Sequence, residues 1–99
     1  MKLMYCPQCG DLVLMRLEPR SCSCGAAQGR YLEDRATVEQ TRGSVSIALH
    51  NGDLHTALAA YGKTPDAWRP AFCFRAFLNP HCEADVRYVD PVAREELPR

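Results

Sequence analysis

Two short stretches decide the fold: Cys6-Pro7-Gln8-Cys9-Gly10 and Cys22-Ser23-Cys24-Gly25, with residues 11–21 strung between them. A two-residue spacer lets one tight turn aim two sulfurs at a single ion. Pro7 fixes φ at the start of the first turn, and the glycine after each pair permits a positive φ without a Cβ clash. Backbone N–H groups within such turns can donate to the sulfurs and spread their charge. Two close pairs point to metal ligation more strongly than a lone Cys-x-x-Cys, which redox motifs also use. Cys6, Cys9, Cys22 and Cys24 are therefore the expected ligands of one structural zinc ion per chain. The same four-sulfur set would also accept iron. Four thiolates around a divalent cation leave a net charge of about −2, so a nearby cation such as Arg20 would help. A closed four-cysteine site has no open position for water, so hydrolysis is not expected of it. The competing reading is that these are reduced structural cysteines.

Working outward, residues 2–5 read as a short strand entering the first pair. Residues 12–17 hold the apolar run Leu12, Val13, Leu14, Met15 and Leu17, stopped by Glu18-Pro19. That length and that stop suit a strand better than a helix. The chain then returns to the second pair.

With two strands each ending in a cysteine pair, the amino-terminal quarter resembles zinc-ribbon proteins, and CPQCG resembles a rubredoxin-type knuckle. The second pair has a one-residue spacer where those families have two. The resemblance implies a closed structural metal site in a protein that contacts nucleic acid or other proteins, or, with iron, one that transfers electrons. It assigns no task to residues 28–99.

Beyond the cysteines, residues 29–40 suit one exposed strand or a hairpin. Residues 44–49 alternate, so that Val45, Ile47 and Leu49 share one face at the period of a half-buried strand. Asn51-Gly52 reads as a turn. Asp53 would then cap a helix running to Tyr61, with Leu54, Ala57, Leu58 and Tyr61 on one face and Gly62 as the stop. Residues 71–78 read as a strand with Phe72, Phe74, Ala76 and Leu78 on one side, and residues 85–89 as a last strand. Asp90-Pro91 could start a final helical turn. The fold class expected is α+β, one domain over residues 1–99: a zinc-ribbon part at 1–27, then a small, mostly antiparallel sheet with one helix at 28–99.

Composition narrows the function classes. A hydrophobic fraction of 46% fits a globular chain. Twelve basic residues balance twelve acidic ones, and a net charge of zero supplies no global attraction to nucleic acid or anionic membrane. No apolar stretch is long enough for a membrane span. With no export signal at the amino terminus, the chain is placed in the cytoplasm, where six cysteines favour a metal over disulfides.

Smaller signals have bland readings beside sharp ones. Cys73, His81 and Cys82 invite a second metal site, but Cys73 sits in an apolar run and reads as a buried small hydrophobe. His50 and His55 flank a turn without a nucleophile or activated carboxylate. Tyr31, Tyr61, Trp68, Phe72, Phe74, Phe77 and Tyr88 read as core before they read as a base-stacking platform. Arg16, Arg20, Arg30, Arg35 and Arg42 interleave with Glu18, Glu33, Asp34 and Glu39, the pattern of a salt-bridged solvent face. The functional expectation is a non-enzymatic protein-interaction or accessory module. The alternatives are a nucleic-acid-binding ribbon and a rubredoxin-like electron carrier or thiol redox sensor.

Overall fold

The computed structural model describes residues 1–89; the expected turn at Asp90-Pro91 lies outside them. The order of elements is β1 (Lys2–Tyr5), β2 (Leu12–Leu14), β3 (Arg20–Ser21), β4 (Gln28–Tyr31), β5 (Val38–Thr41), β6 (Val45–Leu49), α1 (Asn51–Lys63), a 3₁₀ turn (Pro70–Phe72), β7 (Ala76–Leu78) and β8 (Val86–Val89). The strands form two four-stranded sheets, β2-β1-β6-β7 and β3-β4-β5-β8. Every pairing is antiparallel except β5 with β8. The α+β expectation holds, with the four cysteines among the amino-terminal strands. No helix of the described residues is long and apolar enough to cross a membrane.

The core explains why the chain divides into two sheets. Met4 lies opposite Val13 on one side and Ser46 on the other, and all three are buried. Facing them, the second sheet turns Gly29, Val38, Gln40 and Val86 inward, all buried. Met15 is the crossing point. Its N–H still donates to Lys2 in the first sheet (3.2 Å), whereas the Arg16 carbonyl accepts from Tyr31 in the second (2.7 Å). This crossing shortens the expected 12–17 strand to three residues and leaves Leu17 exposed. Gly29 is needed where Met15 passes: a Cβ there would lie 2.9 Å from the Met15 sulfur and 3.2 Å from the Glu39 carbonyl oxygen.

Several elements differ from expectation for identifiable reasons. Of the two readings of residues 29–40, the hairpin is the one that forms, as β4–β5, and its strands are not exposed. Asp34 shapes its turn by accepting from the N–H groups of Ala36 (3.0 Å) and Thr37 (2.8 Å), and Val38 and Gln40 are fully buried. Val45, Ile47 and Leu49 do share a half-buried face. The deeply buried neighbours, however, are Ser44 and Ser46, because the register with Met4 turns them inward. Ser46 is satisfied there by donating to Asn79 Oδ1 at 2.9 Å. Asn51-Gly52 is not a turn but the first two residues of α1. His50 caps the helix, its Nδ1 accepting from the Asp53 N–H at 3.0 Å. Gly62 lies inside the helix, which ends at Lys63 with Thr64 as its C-cap. The expected strand 71–78 is split, since Pro70 opens a 3₁₀ turn and only Ala76–Leu78 pairs with β6.

Candidate metal centre

The loop between β1 and β2 carries Cys6 and Cys9; the loop between β3 and β4 carries Cys22 and Cys24. Each knuckle is closed by its own backbone. The Gly10 N–H donates to the Cys6 carbonyl (2.7 Å) and the Cys6 N–H to the Asp11 carbonyl (3.0 Å). In the second, Gly25 donates to Cys22 (3.1 Å) and Cys22 to Ala27 (2.9 Å). Gly10 and Gly25 have φ of 74° and 79°, the left-handed conformation for which glycine is suited. The one-residue spacer of the second pair thus still yields a closed turn.

Asp11 ties the knuckles together, which sequence reading missed. Its Oδ2 accepts from the backbone N–H of Ser23 (2.8 Å) and from the Ser23 hydroxyl (2.9 Å), while Oδ1 accepts from the Leu12 N–H (2.9 Å). These hydrogen bonds, with the Ser23 hydroxyl's the largest contribution, hold the carboxyl below the usual Asp range. An aspartate directly after a Cys-x-x-Cys-Gly knuckle and a serine inside the second pair were the available signals.

The four sulfurs converge, all within 4.8 Å of one another. Cys24 Sγ lies 3.8 Å from Cys6 Sγ and 3.6 Å from Cys22 Sγ. A tetrahedral ion with metal–sulfur bonds of about 2.3 Å requires sulfurs about 3.8 Å apart. The four sulfurs are thus grouped closely enough to hold one metal ion, two of their separations already at the tetrahedral value. Cys6 and Cys22 are buried and belong to the core, whereas Cys9 and Cys24 face solvent. The Ala27 N–H donates to Cys22 Sγ at 3.3 Å, supplying the backbone donor such a turn was expected to provide. The Arg20 guanidinium donates to the Leu14 carbonyl at 3.1 Å.

The protons of this set are distributed unevenly. Burial pushes the Cys22 thiol up, but the Ala27 N–H and hydrogen bonds from the Cys24, Cys6 and Cys9 sulfurs bring it down to about 6. Backbone N–H groups of Cys24 and Asp11 lower Cys9. The Ala26 N–H pulls Cys24 down, yet desolvation and its donation to the other three sulfurs raise it to about 12. Hydrogen bonding within the cluster thus favours the thiolate form at Cys22 and Cys9, the form in which a thiol binds a metal ion.

The remaining candidates do not join this centre. Cys73 is exposed beyond the 3₁₀ turn rather than buried, and Cys82 is also exposed. His81 lies against Tyr88, with ring centroids 4.7 Å apart. Among the described residues, only the four amino-terminal cysteines form a cluster able to hold a metal. His50 is occupied as the helix cap, 3.4 Å from Arg75, whose guanidinium donates twice to Asp53 at 2.6 and 3.1 Å. Of the aromatics expected in the core, only Tyr31 and Tyr88 pack against it; Tyr61, Trp68, Phe74 and Phe77 are exposed. The arginine-rich half contributes the ion pair Arg30–Glu39 at 3.2 Å. No family model, curated protein or solved structure matches the chain.

Proposed function

We propose that this chain is a non-enzymatic interaction module, its amino-terminal knuckles stapled by one structural zinc ion and its binding energy supplied by aromatic side chains. The observation that carries this reading is the ridge following α1. Trp68 is 76% exposed, yet it is held edge-on to Phe72 at 6.0 Å, and Phe72 is held edge-on to Tyr61 at 5.7 Å. Burying such a ridge in the monomer would have been favourable, at roughly 1.5–3 kcal/mol for a large apolar side chain. Rigid exposed Trp and Tyr residues are what concentrated protein-binding energy is made from. Zinc is the preferred ion because the closed four-thiolate site suits a structural role; iron fits the same sulfurs and would turn the reading toward electron transfer.

Two measurements test this together. Elemental mass spectrometry of the full chain is expected to find one zinc per chain, and a Cys9→Ser variant to fall well below that. Affinity capture from native extract is expected to enrich one protein with the wild type and lose it with Trp68→Ala. Iron in the centre, or repeated capture experiments that return no Trp68-dependent partner, would sink the proposal.

A further inference from the structure

Among the described residues the sheets leave four edge strands, β2 and β7 in one and β3 and β8 in the other. An edge strand exposes unpaired N–H and C=O groups, which proteins ordinarily blunt with short strands, charges or covering groups. Three of these edges are blunted. On β2, the Leu12 N–H donates to Asp11 Oδ1 at 2.9 Å and the Leu14 carbonyl accepts from Arg20 at 3.1 Å. β3 is only two residues long. On β8, the Val86 N–H donates to the Glu83 carbonyl at 3.4 Å, and Arg87 adds a charge.

The edge of β7 is left open. The His50 N–H donates to the Arg75 carbonyl, and the Asn79 N–H to the Ser46 carbonyl, both at 2.8 Å. Ladder bonds of an antiparallel pair recur at every second residue, so Arg75, Phe77 and Asn79 are the ones facing β6. The N–H and C=O groups of Ala76 and Leu78 therefore point away from the sheet, and no described residue bonds to them. All of β7 is exposed, Leu78 to 64%. None of its residues is charged, and the neighbouring Arg75 is held by Asp53 at 2.6 Å. Leu78 also ends an apolar row, lying opposite Ile47, which lies opposite Leu3.

We infer that the open edge of β7 is a strand-addition site, on which an extended segment of a partner protein pairs through its backbone. This rests on the reading of the chain as an interaction module and names the form its partner takes. The hydrogen-bonding pattern selects the occupant. Outward N–H and C=O groups on two residues about 6.8 Å apart match the repeat of an extended backbone. A helix, with its backbone groups already paired, cannot supply that match. Side chains add a preference. A residue paired beside Leu78 prolongs the row Leu3–Ile47–Leu78, so the segment carries apolar side chains at alternate positions. A second copy offers less, because its own β7 is bounded by the 3₁₀ turn on one side and Asn79-Pro80 on the other. Phe72, where the aromatic ridge ends, is separated from Ala76 by residues 73–75, at most about 14 Å of chain. A segment continuing a few residues past β7 covers that distance.

The experiment is amide hydrogen exchange, followed by nuclear magnetic resonance, on the full chain as purified. The probe is a short synthetic peptide alternating valine and threonine, blocked at both ends and kept soluble by terminal lysines. In the free chain Phe77 N–H is expected to exchange slowly and those of Ala76 and Leu78 fast. Millimolar peptide is expected to slow Ala76 and Leu78 by about twofold or more, the effect of half-occupancy. Valines placed against Ala76 and Leu78 turn their N–H groups toward β7. Methylating the valine nitrogens is therefore expected to abolish the slowing, and methylating the threonine nitrogens to preserve it. Ala76→Pro removes an outward N–H and leaves the bonds to β6 in place; it is expected to lose the response at Leu78, which Ala76→Val keeps. Should Ala76→Pro fail to fold, the methylated peptides decide the matter on the wild type. No slowing, or equal slowing by the valine-methylated peptide, overturns the proposal. A dimer in sedimentation that Ala76→Pro abolishes gives the edge to a second copy and overturns it too. An inert edge in a chain that still captures a partner through Trp68 overturns this inference and leaves the interaction reading standing. A responsive edge in a chain that captures nothing through Trp68 does the reverse.

Discussion

The four cysteines show how unequal equivalent residues become once folded. Cys6 and Cys22 serve twice, as candidate ligands and as core side chains beside Met4 and Val38; Cys9 and Cys24 are exposed. Cys22→Ser is therefore expected to be the more damaging change. It removes a sulfur from the cluster and buries a hydroxyl, costlier to desolvate than a thiol, at a position packed in the core. A structural zinc site contributes on the order of 10–16 kcal/mol in comparable small proteins, as much as the net stability of a whole domain. Both variants should lose metal, and denaturant unfolding should show Cys22→Ser without a cooperative transition. At Gly29 the constraint is space. The Met15 sulfur can swing aside, but the Glu39 carbonyl and Gln40 Cβ cannot, so Gly29→Ala is expected to destabilise by about 1–2 kcal/mol. A urea midpoint unchanged from wild type would show that the hairpin relaxes more readily than this packing implies.

At the scale of elements, the junction between α1 and β7 depends on one carboxylate. Asp53 sits in the first turn of α1 and receives both the Arg75 guanidinium and the Arg75 backbone N–H (3.2 Å). The side-chain hydrogen bond from Arg75 is the main reason its carboxyl falls to about 2. A depressed acid stabilises the folded state above its unfolded pKa of roughly 4 and loses that contribution as pH falls toward about 2. Helix content followed by circular dichroism should therefore decline between about pH 4 and pH 2, and Asp53→Asn should remove that part of the decline. The thiol centre responds to acid separately, since proton competition releases a metal from thiolates. A metal-sensitive dye would report the metal's release, expected in wild type and Asp53→Asn alike. If Asp53→Asn traces the same helix titration as wild type, the carboxylate does not hold the junction.

Across the whole molecule, the four-cysteine cluster and the core are one structure. Cys6 and Cys22 pack in the same cluster as Val38 and Val86, which belong to the second sheet. Lys2 also bridges the sheets, pairing with Asp85 at 2.9 Å and donating to the Ala36 carbonyl at 2.9 Å. Chelation is therefore expected to unfold more than the knuckles. Near-ultraviolet circular dichroism should lose the Tyr31 and Tyr88 signals together with the metal, whereas loss of metal with aromatic signals intact would show that the later strands stand alone. Charge belongs to this scale too. With no net charge and a paired Arg30, binding to single- or double-stranded nucleic acid at low salt is expected to be negligible. Affinity that falls steeply with added salt would overturn this and favour a nucleic-acid-binding ribbon.

What the chain dictated by itself was local. The convergence of the four cysteines, the glycines closing the two knuckles, the first and last strands, the existence of a helix and the fold class all follow from spacing, φ preference and short-range periodicity. The spacing of two cysteine pairs was legible because metal geometry acts through bonds only a few residues apart. Tertiary structure decided everything that depended on which strand lies beside which. Register with Met4 put serines inside and left Val45 and Ile47 facing outward. The crossing at Met15 shortened one strand, and Asp11 reached Ser23 only once the knuckles met. Alternation along β6 marked two faces without saying which one the core would take, and aromatic residues were expected inside although the loop after α1 offers nothing to cover them. Those outcomes are set by contacts between residues far apart in the chain, and a period of two or of 3.6 carries no information about them.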